Sequence, residues 1–97
     1  MHKFVLSKKA DADIEELYDD GVRKFGEIQA IKYLEELNLI FIFLSKNPKA
    51  GKTRNEIKLK LLSFPYASHI IFYRIFKTHI RIIRILYGGR DLIKFLK

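Results

Sequence analysis

The chain contains no cysteine, so neither a disulfide framework nor a thiolate zinc site supplements its core, and its stability has to come from packing. Long apolar runs are also missing: the longest, Leu39 to Leu44, falls far short of the ~20 residues that span a bilayer. The opening Met1-His2-Lys3-Phe4-Val5-Leu6 gives way to Ser7-Lys8-Lys9 and resembles no signal peptide, so the expectation is a soluble, cytoplasmic protein without membrane partners. No phosphate-loop glycine pattern, dinucleotide fingerprint, His-Glu-x-x-His or CxxC is present, which removes most enzyme classes. His2, His69 and His79 are too scattered for a metal site, so neither metal nor cofactor is expected. At 97 residues and 11.5 kDa a two-domain enzyme is excluded, and one domain over residues 1–97 is expected.

Hydrophobic residues make up 48% of the chain and include eight Phe and five Tyr, enough to exclude a disordered segment. The formal net charge of +8 is unevenly placed. Residues 1–48 carry 7 Lys/Arg against 9 Asp/Glu, whereas residues 49–97 carry 12 against only Glu56 and Asp91. A half-chain of net +10 attracts a polyanion or an acidic partner, although a basic solvated surface has the same composition.

Hydrophobic spacing predicts the elements. Phe4, Val5 and Leu6 read as a strand, and Ser7 caps a helix whose apolar stripe is Ala10, Ile14, Leu17, Tyr18, Gly21 and Phe25. Asp13, Glu16 and Asp20 lie within reach of one another on that helix and read as a solvated acidic face. Gly26 ends the helix, and a second runs from Glu27 to about Lys46 with an inward seam of Ala30, Leu34, Leu37, Phe41 and Leu44, forming an antiparallel hairpin with the first. Asn47-Pro48 ends it, and Gly51 permits a turn.

Beyond the turn the period becomes two: Ile57, Leu59 and Leu61 alternate with Lys58 and Lys60, which predicts a half-exposed strand with a basic outer row. Phe64 to Ser68 reads as a turn. His69–Phe76 and His79–Tyr87 read as strands of a hairpin about Lys77-Thr78. Asp91 caps a last segment whose Leu92, Ile93, Phe95 and Leu96 reach the core, after the interruption at Gly88-Gly89. The expected architecture is α+β, an N-terminal strand and an antiparallel helical hairpin packed on a small antiparallel sheet, in the order β-α-α-β-β-β with a short C-terminal segment.

Arg74 and Arg84 each interrupt an otherwise apolar strand, where an unpaired guanidinium is costly to bury, so each should meet an acid, a carbonyl or a ligand. Leu39, Ile42 and Phe43 cannot share one core face with Leu37, Phe41 and Leu44, since successive helical residues are turned by about 100°. With Lys58 and Lys60 they form a candidate partner surface.

The order Leu6-Ser7, Ala10, Asp13, Phe25-Gly26, Gln29-Ala30, Tyr33, Leu37, Leu44, Asn47-Pro48, Gly51, His69, Ile71-Phe72-Tyr73-Arg74, Ile82, Arg84-Ile85-Leu86 and Asp91 closely resembles the ParE branch of the RelE/ParE toxin superfamily over nearly the whole chain. The resemblance implies a type II toxin held by an acidic, ParD-like antitoxin, either as a hetero-oligomer or alongside a toxin homodimer. ParE-like toxins stall DNA gyrase on cleaved DNA; RelE-like relatives cut messenger RNA on the ribosome. Leu62-Ser63-Phe64 stands where many relatives carry an arginine before the aromatic residue, and Tyr87 where many have histidine. Both departures remove ribonuclease chemistry and favour gyrase, with Arg74, Arg84, Arg90, Lys94 and Phe95 as target-binding residues. A ribonuclease would be assembled from Lys52, Arg54, Arg74, Arg84 and Tyr87, but the tyrosine would need its pKa of ~10 lowered to act as a base. A non-toxic, degenerate member is the remaining alternative.

Overall fold

In the computed structural model, which describes residues 3–89 and 91–96, the chain runs β1 (Phe4–Leu6), α1 (Lys8–Phe25), α2 (Glu27–Lys46), a 3-10 turn (Pro48–Ala50), β2 (Lys52–Thr53), β3 (Leu62–Tyr66), β4 (His69–Ile75), β5 (Ile80–Tyr87) and α3 (Leu92–Leu96). The expected α+β class and helical hairpin are present. Ser7 Oγ accepts from Ala10 N at 2.9 Å, capping α1, and donates to Ile83 O at 2.7 Å, tying the cap to the sheet. Gly26 separates the helices at φ +87°, a backbone region that side chains disfavour. The helices then pack closely where Gly21 meets Ala30; a Cβ on Gly21 would lie 3.3 Å from the alanine methyl.

The sheet has the order β1-β5-β4-β3-β2 and is mixed, not antiparallel as expected: β1 is joined to β5 through most of the chain, not through a hairpin turn, and runs parallel to it, while the other pairs are antiparallel. In the β4–β5 ladder Phe72 faces Arg84 but Tyr73 faces Ile82, so Ile83 is an extra residue and the strand bulges there. One side of the sheet meets α1 and α2 through a core containing Leu37, Phe41, Leu44, Ile71, Tyr73 and Ile82. The other side has a second core of Leu61, Phe72, Leu86 and Leu96, flanked by Ile57, Leu92 and Phe95. The C-terminal helix is therefore a cover for the second face of the sheet.

Two sequence-based expectations fail between Arg54 and Tyr66. The alternation over Ile57–Leu61 is not a strand: Ile57 N and Lys58 N both donate to Arg54 O, and Asn55 Oδ1 accepts from Lys60 N at 2.8 Å, folding the segment on itself. Lys60 takes a positive φ of 66° to close it. Ile57 and Leu61 satisfy their hydrophobicity in the second core, while Leu59 stays 69% exposed. The strand starts instead at Leu62 and continues through Pro65 to Tyr66, leaving Ala67-Ser68 as the turn. Proline is tolerated because Pro65 lies on the part of β3 that the two-residue β2 leaves uncovered.

Candidate functional site

Asp13 is the main departure from the expected solvated acidic face. Among the described residues the outer edge of β5 has no strand partner beyond Leu6, and α1 packs against it. Asp13 Oδ2 accepts from Ile85 N at 3.0 Å there, and the carboxylate takes Arg84 Nε at 2.8 Å and Nη2 at 2.9 Å. Both side chains are largely buried, at 8% and 13% exposure. The third guanidinium nitrogen, Nη1, donates to Phe95 O at 3.1 Å, and the guanidinium lies 5.7 Å from the Phe95 ring centroid. Arg84 thus links the first helix to the last. Its hydrogen bonds to Asp13 hold the guanidinium above the ordinary arginine pKa, against the opposing effect of burial. The expectation that Arg84 meets an acid or a carbonyl is met by both at once.

The second face of the sheet is cationic. Tyr73 and Ile71 enter the helix-side core, so Arg74 and Phe72 point away from the helices; Ile80 and Ile82 likewise leave Arg81 on the far face. Arg54 lies at the same face, its Nε donating to Ser63 Oγ at 2.9 Å and its Nη1 standing 3.5 Å from Glu56. With Lys52 and Ile70 it lines a shallow depression of about 280 Å³. Lys94 is exposed on α3, and Phe95 is half-buried against Arg84. Arg90 and His2 lie outside the described residues.

The ribonuclease set is not brought together. Tyr87 lines a different space, a cleft of about 620 Å³ beneath the helical hairpin, along with Tyr33 and His69. Lys52 and Arg54 line the depression on the opposite face, and Arg84 has committed its donors to Asp13 and Phe95.

Polar pairs that no local motif reveals lie in the cleft and beside it. Tyr33 Oη and His69 Nδ1 share a 2.8 Å hydrogen bond, and Tyr66 Oη donates to Glu36 Oε2 at 2.6 Å. Burial raises both phenols above the ordinary tyrosine pKa, helped at Tyr33 by the Glu36 charge and at Tyr66 by the hydrogen bond to Glu36 and then its charge. The partners stand 30 or more residues apart, beyond any sequence spacing rule. Among the described residues no three His, Asp or Glu side chains are grouped to hold a metal.

On the outer side of α2, Leu39 is 63% and Phe43 is 43% exposed, while Ile42 is half-buried. Phe43 leans on Phe64 with ring centroids 5.9 Å apart. Ile28, not singled out from sequence, is a further exposed apolar residue near the start of α2, at 87% exposure. Lys58 and Lys60 lie on the loop over the opposite face of the sheet, so the two halves of the expected partner surface are separated by the sheet itself.

A helical hairpin over a small mixed sheet, with its opposite face basic and an apolar helix strip uncovered, defines a small α+β protein equipped for macromolecular contacts. Residues 4–92 match the family model described as the ParE toxin of the type II toxin-antitoxin system, parDE. The chain is 31% identical over 91 residues to Toxin ParE1 of Mycobacterium tuberculosis, covering 93% of each chain. Toxin ParE1 of Caulobacter vibrioides is 26% identical over 91 residues, with 94% of each covered. A solved structure described as the chromosomal ParDE TA system from P. aeruginosa shares the fold with a TM-score of 0.76 at 22% identity, covering 90% of this chain and 96% of that one. The chain belongs to the ParE toxin family and is the toxin component of a type II toxin–antitoxin system. Its partner is an antitoxin.

Proposed function

We propose that this toxin acts by binding DNA gyrase and holding it on cleaved DNA, and that an acidic, ParD-like antitoxin silences it by covering the apolar strip of α2. The observation that carries the reading is the commitment of Arg84. Metal-free RNA cleavage needs cations free to stabilise the scissile phosphate beside a base and an acid. Here the strand guanidinium is bound by Asp13 and Phe95 O, and Tyr87 opens into a different cleft from Lys52 and Arg54. Inhibition by surface contact needs no such constellation. Arg74, Lys94 and Arg90 supply charge for the target, and Leu39 and Phe43 supply the apolar surface on which a disordered antitoxin segment folds as an amphipathic helix.

The test is purified toxin with gyrase, ATP and supercoiled plasmid. Accumulation of protein-linked linear DNA, suppressed by the cognate antitoxin, is the expected outcome. Codon-specific cleavage of messenger RNA on ribosomes, with gyrase unaffected, would replace this reading with the RelE-like one.

A further inference from the structure

We infer that the β4–β5 hairpin binds single-stranded nucleic acid directly, with Arg74 and Arg81 gripping the phosphate backbone and the Phe76–His79 pair at the tip stacking on a base. The two arginines are partners across the antiparallel ladder and point to the same far face of the sheet. Like charges directly opposite one another destabilise a strand pair, so their juxtaposition works against the fold. No hydrogen bond or ion pair among the described residues engages either, in contrast to Arg84 and Arg54. Arg74 is half-buried and Arg81 exposed.

Among the described residues, the strands that flank the pair, β1, β3, β4 and β5, carry no acid. From Ile57 through Arg90 the sequence has no Asp or Glu. The next strand places Val5 opposite Arg81, and Lys3, whose carbonyl accepts from Ile80 N at 3.1 Å, is a further exposed cation at this end. An anion with regularly spaced charges would relieve the cross-strand repulsion.

The tip says which polyanion. Phe76 and His79 are nearly parallel, at 10°, with centroids 5.2 Å apart, and the Phe76 N to His79 O bond of 2.8 Å closes the turn beneath them. Phe76 is 40% exposed and Ile75 37%, with Lys77 exposed beside them. An aromatic pair open to solvent, next to cations, is the arrangement by which single strands are held, since every base has a face to stack while paired bases do not offer theirs. An acidic peptide would use the arginines but not the rings. The inference goes beyond the gyrase reading, and its test contains no gyrase.

Fluorescence anisotropy of labelled dT12, rU12 and a 12-base-pair duplex with the purified full chain measures it. Both single strands should bind more tightly than the duplex, and the stronger of the two identifies DNA or RNA as the natural strand. R74Q/R81Q should weaken binding at least about tenfold and flatten the salt dependence by roughly 1.4 in log–log slope, two phosphate contacts at about 0.7 each. R74K/R81K should retain most of the affinity, which separates charge from folding, and Phe76→Ala should weaken single-strand binding about tenfold. K8Q/K9Q on α1 removes the same charge and should change little. Equal losses in the two double variants, preference for duplex, or a Phe76→Ala protein that binds normally would overturn the proposal. So would loss of binding to a poly-glutamate peptide in R74Q/R81Q with oligonucleotide affinity unchanged.

Discussion

Asp13 and Arg84 are 71 residues apart in sequence and meet in a two-pronged ion pair at 2.8 and 2.9 Å, with the same carboxylate also accepting Ile85 N. One acid therefore satisfies both a buried cation and an orphaned edge amide of the sheet. Replacing Asp13 by Asn leaves the guanidinium buried without its counter-charge, a change that costs about 3–5 kcal/mol when a buried pair is broken. Arg84→Lys should not restore the stability, because an ammonium cannot make the forked contact. Denaturant melts of Asp13→Asn, Arg84→Lys and the apolar double variant Asp13→Leu/Arg84→Met check this; the double variant should recover part of the loss.

Tyr33, Tyr66 and Tyr73 all have phenol pKa values raised by burial, opposed at Tyr73 by the hydrogen bond it accepts from Gly51. A folded-state pKa above the unfolded value of 10.0 means the unfolded chain loses the proton first. Stability from these groups is thus fully present below about pH 10 and falls as the pH rises beyond it. Phenolate absorbance in the native protein should lag behind that of the urea-unfolded chain, and Tyr66→Phe should narrow the gap.

Tyr73 Oη donates to Pro48 O and accepts from Gly51 N, both at 2.8 Å, fastening the connection after α2 to the core of the sheet. Tyr73→Phe leaves a carbonyl and an amide without that partner, for an expected loss of about 1–3 kcal/mol. Gly51→Ala should destabilise comparably, since its Cβ would run into the Tyr73 hydroxyl and lie 2.9 Å from Ser63 O. Thermal melts of the two single variants and the double should show losses that do not add, because both act on one contact.

Truncation after Gly89 should yield a less stable protein. Leu96 is 6% exposed and packs with Leu61, Phe72 and Leu86, and the cut also removes the Phe95 carbonyl from Arg84. Leu96→Ala alone should cost about 2–5 kcal/mol. Lys94→Gln, at an exposed position, should leave the melting temperature unchanged. Any loss of toxicity on truncation should therefore be compared with Leu96→Ala before it is assigned to target contact.

Leu39→Ser/Phe43→Gln should weaken antitoxin binding more than tenfold, or ~1.4 kcal/mol, with little change in the melting temperature of the free toxin. Lys58→Gln/Lys60→Gln, across the sheet, should act independently if one antitoxin chain reaches both faces. Calorimetric titration of the two variants and their combination would decide between additive effects and no effect from the lysines.

The sequence by itself determined what depends on neighbours a few residues apart. Ser7 as a cap, Gly26 between helices, Asn47-Pro48 as a stop, the two long strands and the charge division all follow from capping, backbone freedom and side-chain period. Local pattern misled where side chains met their needs through distant contacts: Ile57 and Leu61 alternate like a strand yet fold into turns because a second core receives them. Only the tertiary structure decided that β1 lies parallel to β5, that α3 covers the second face, and that Asp13 belongs to Arg84. Arg84 carried a sign of this in sequence, as a charge in an apolar strand that had to find a partner. Asp13 carried none, because an acid on an amphipathic helix looks solvated until the unpaired edge of β5 is laid against it, and the cost of burying a charge is set by what surrounds it in space.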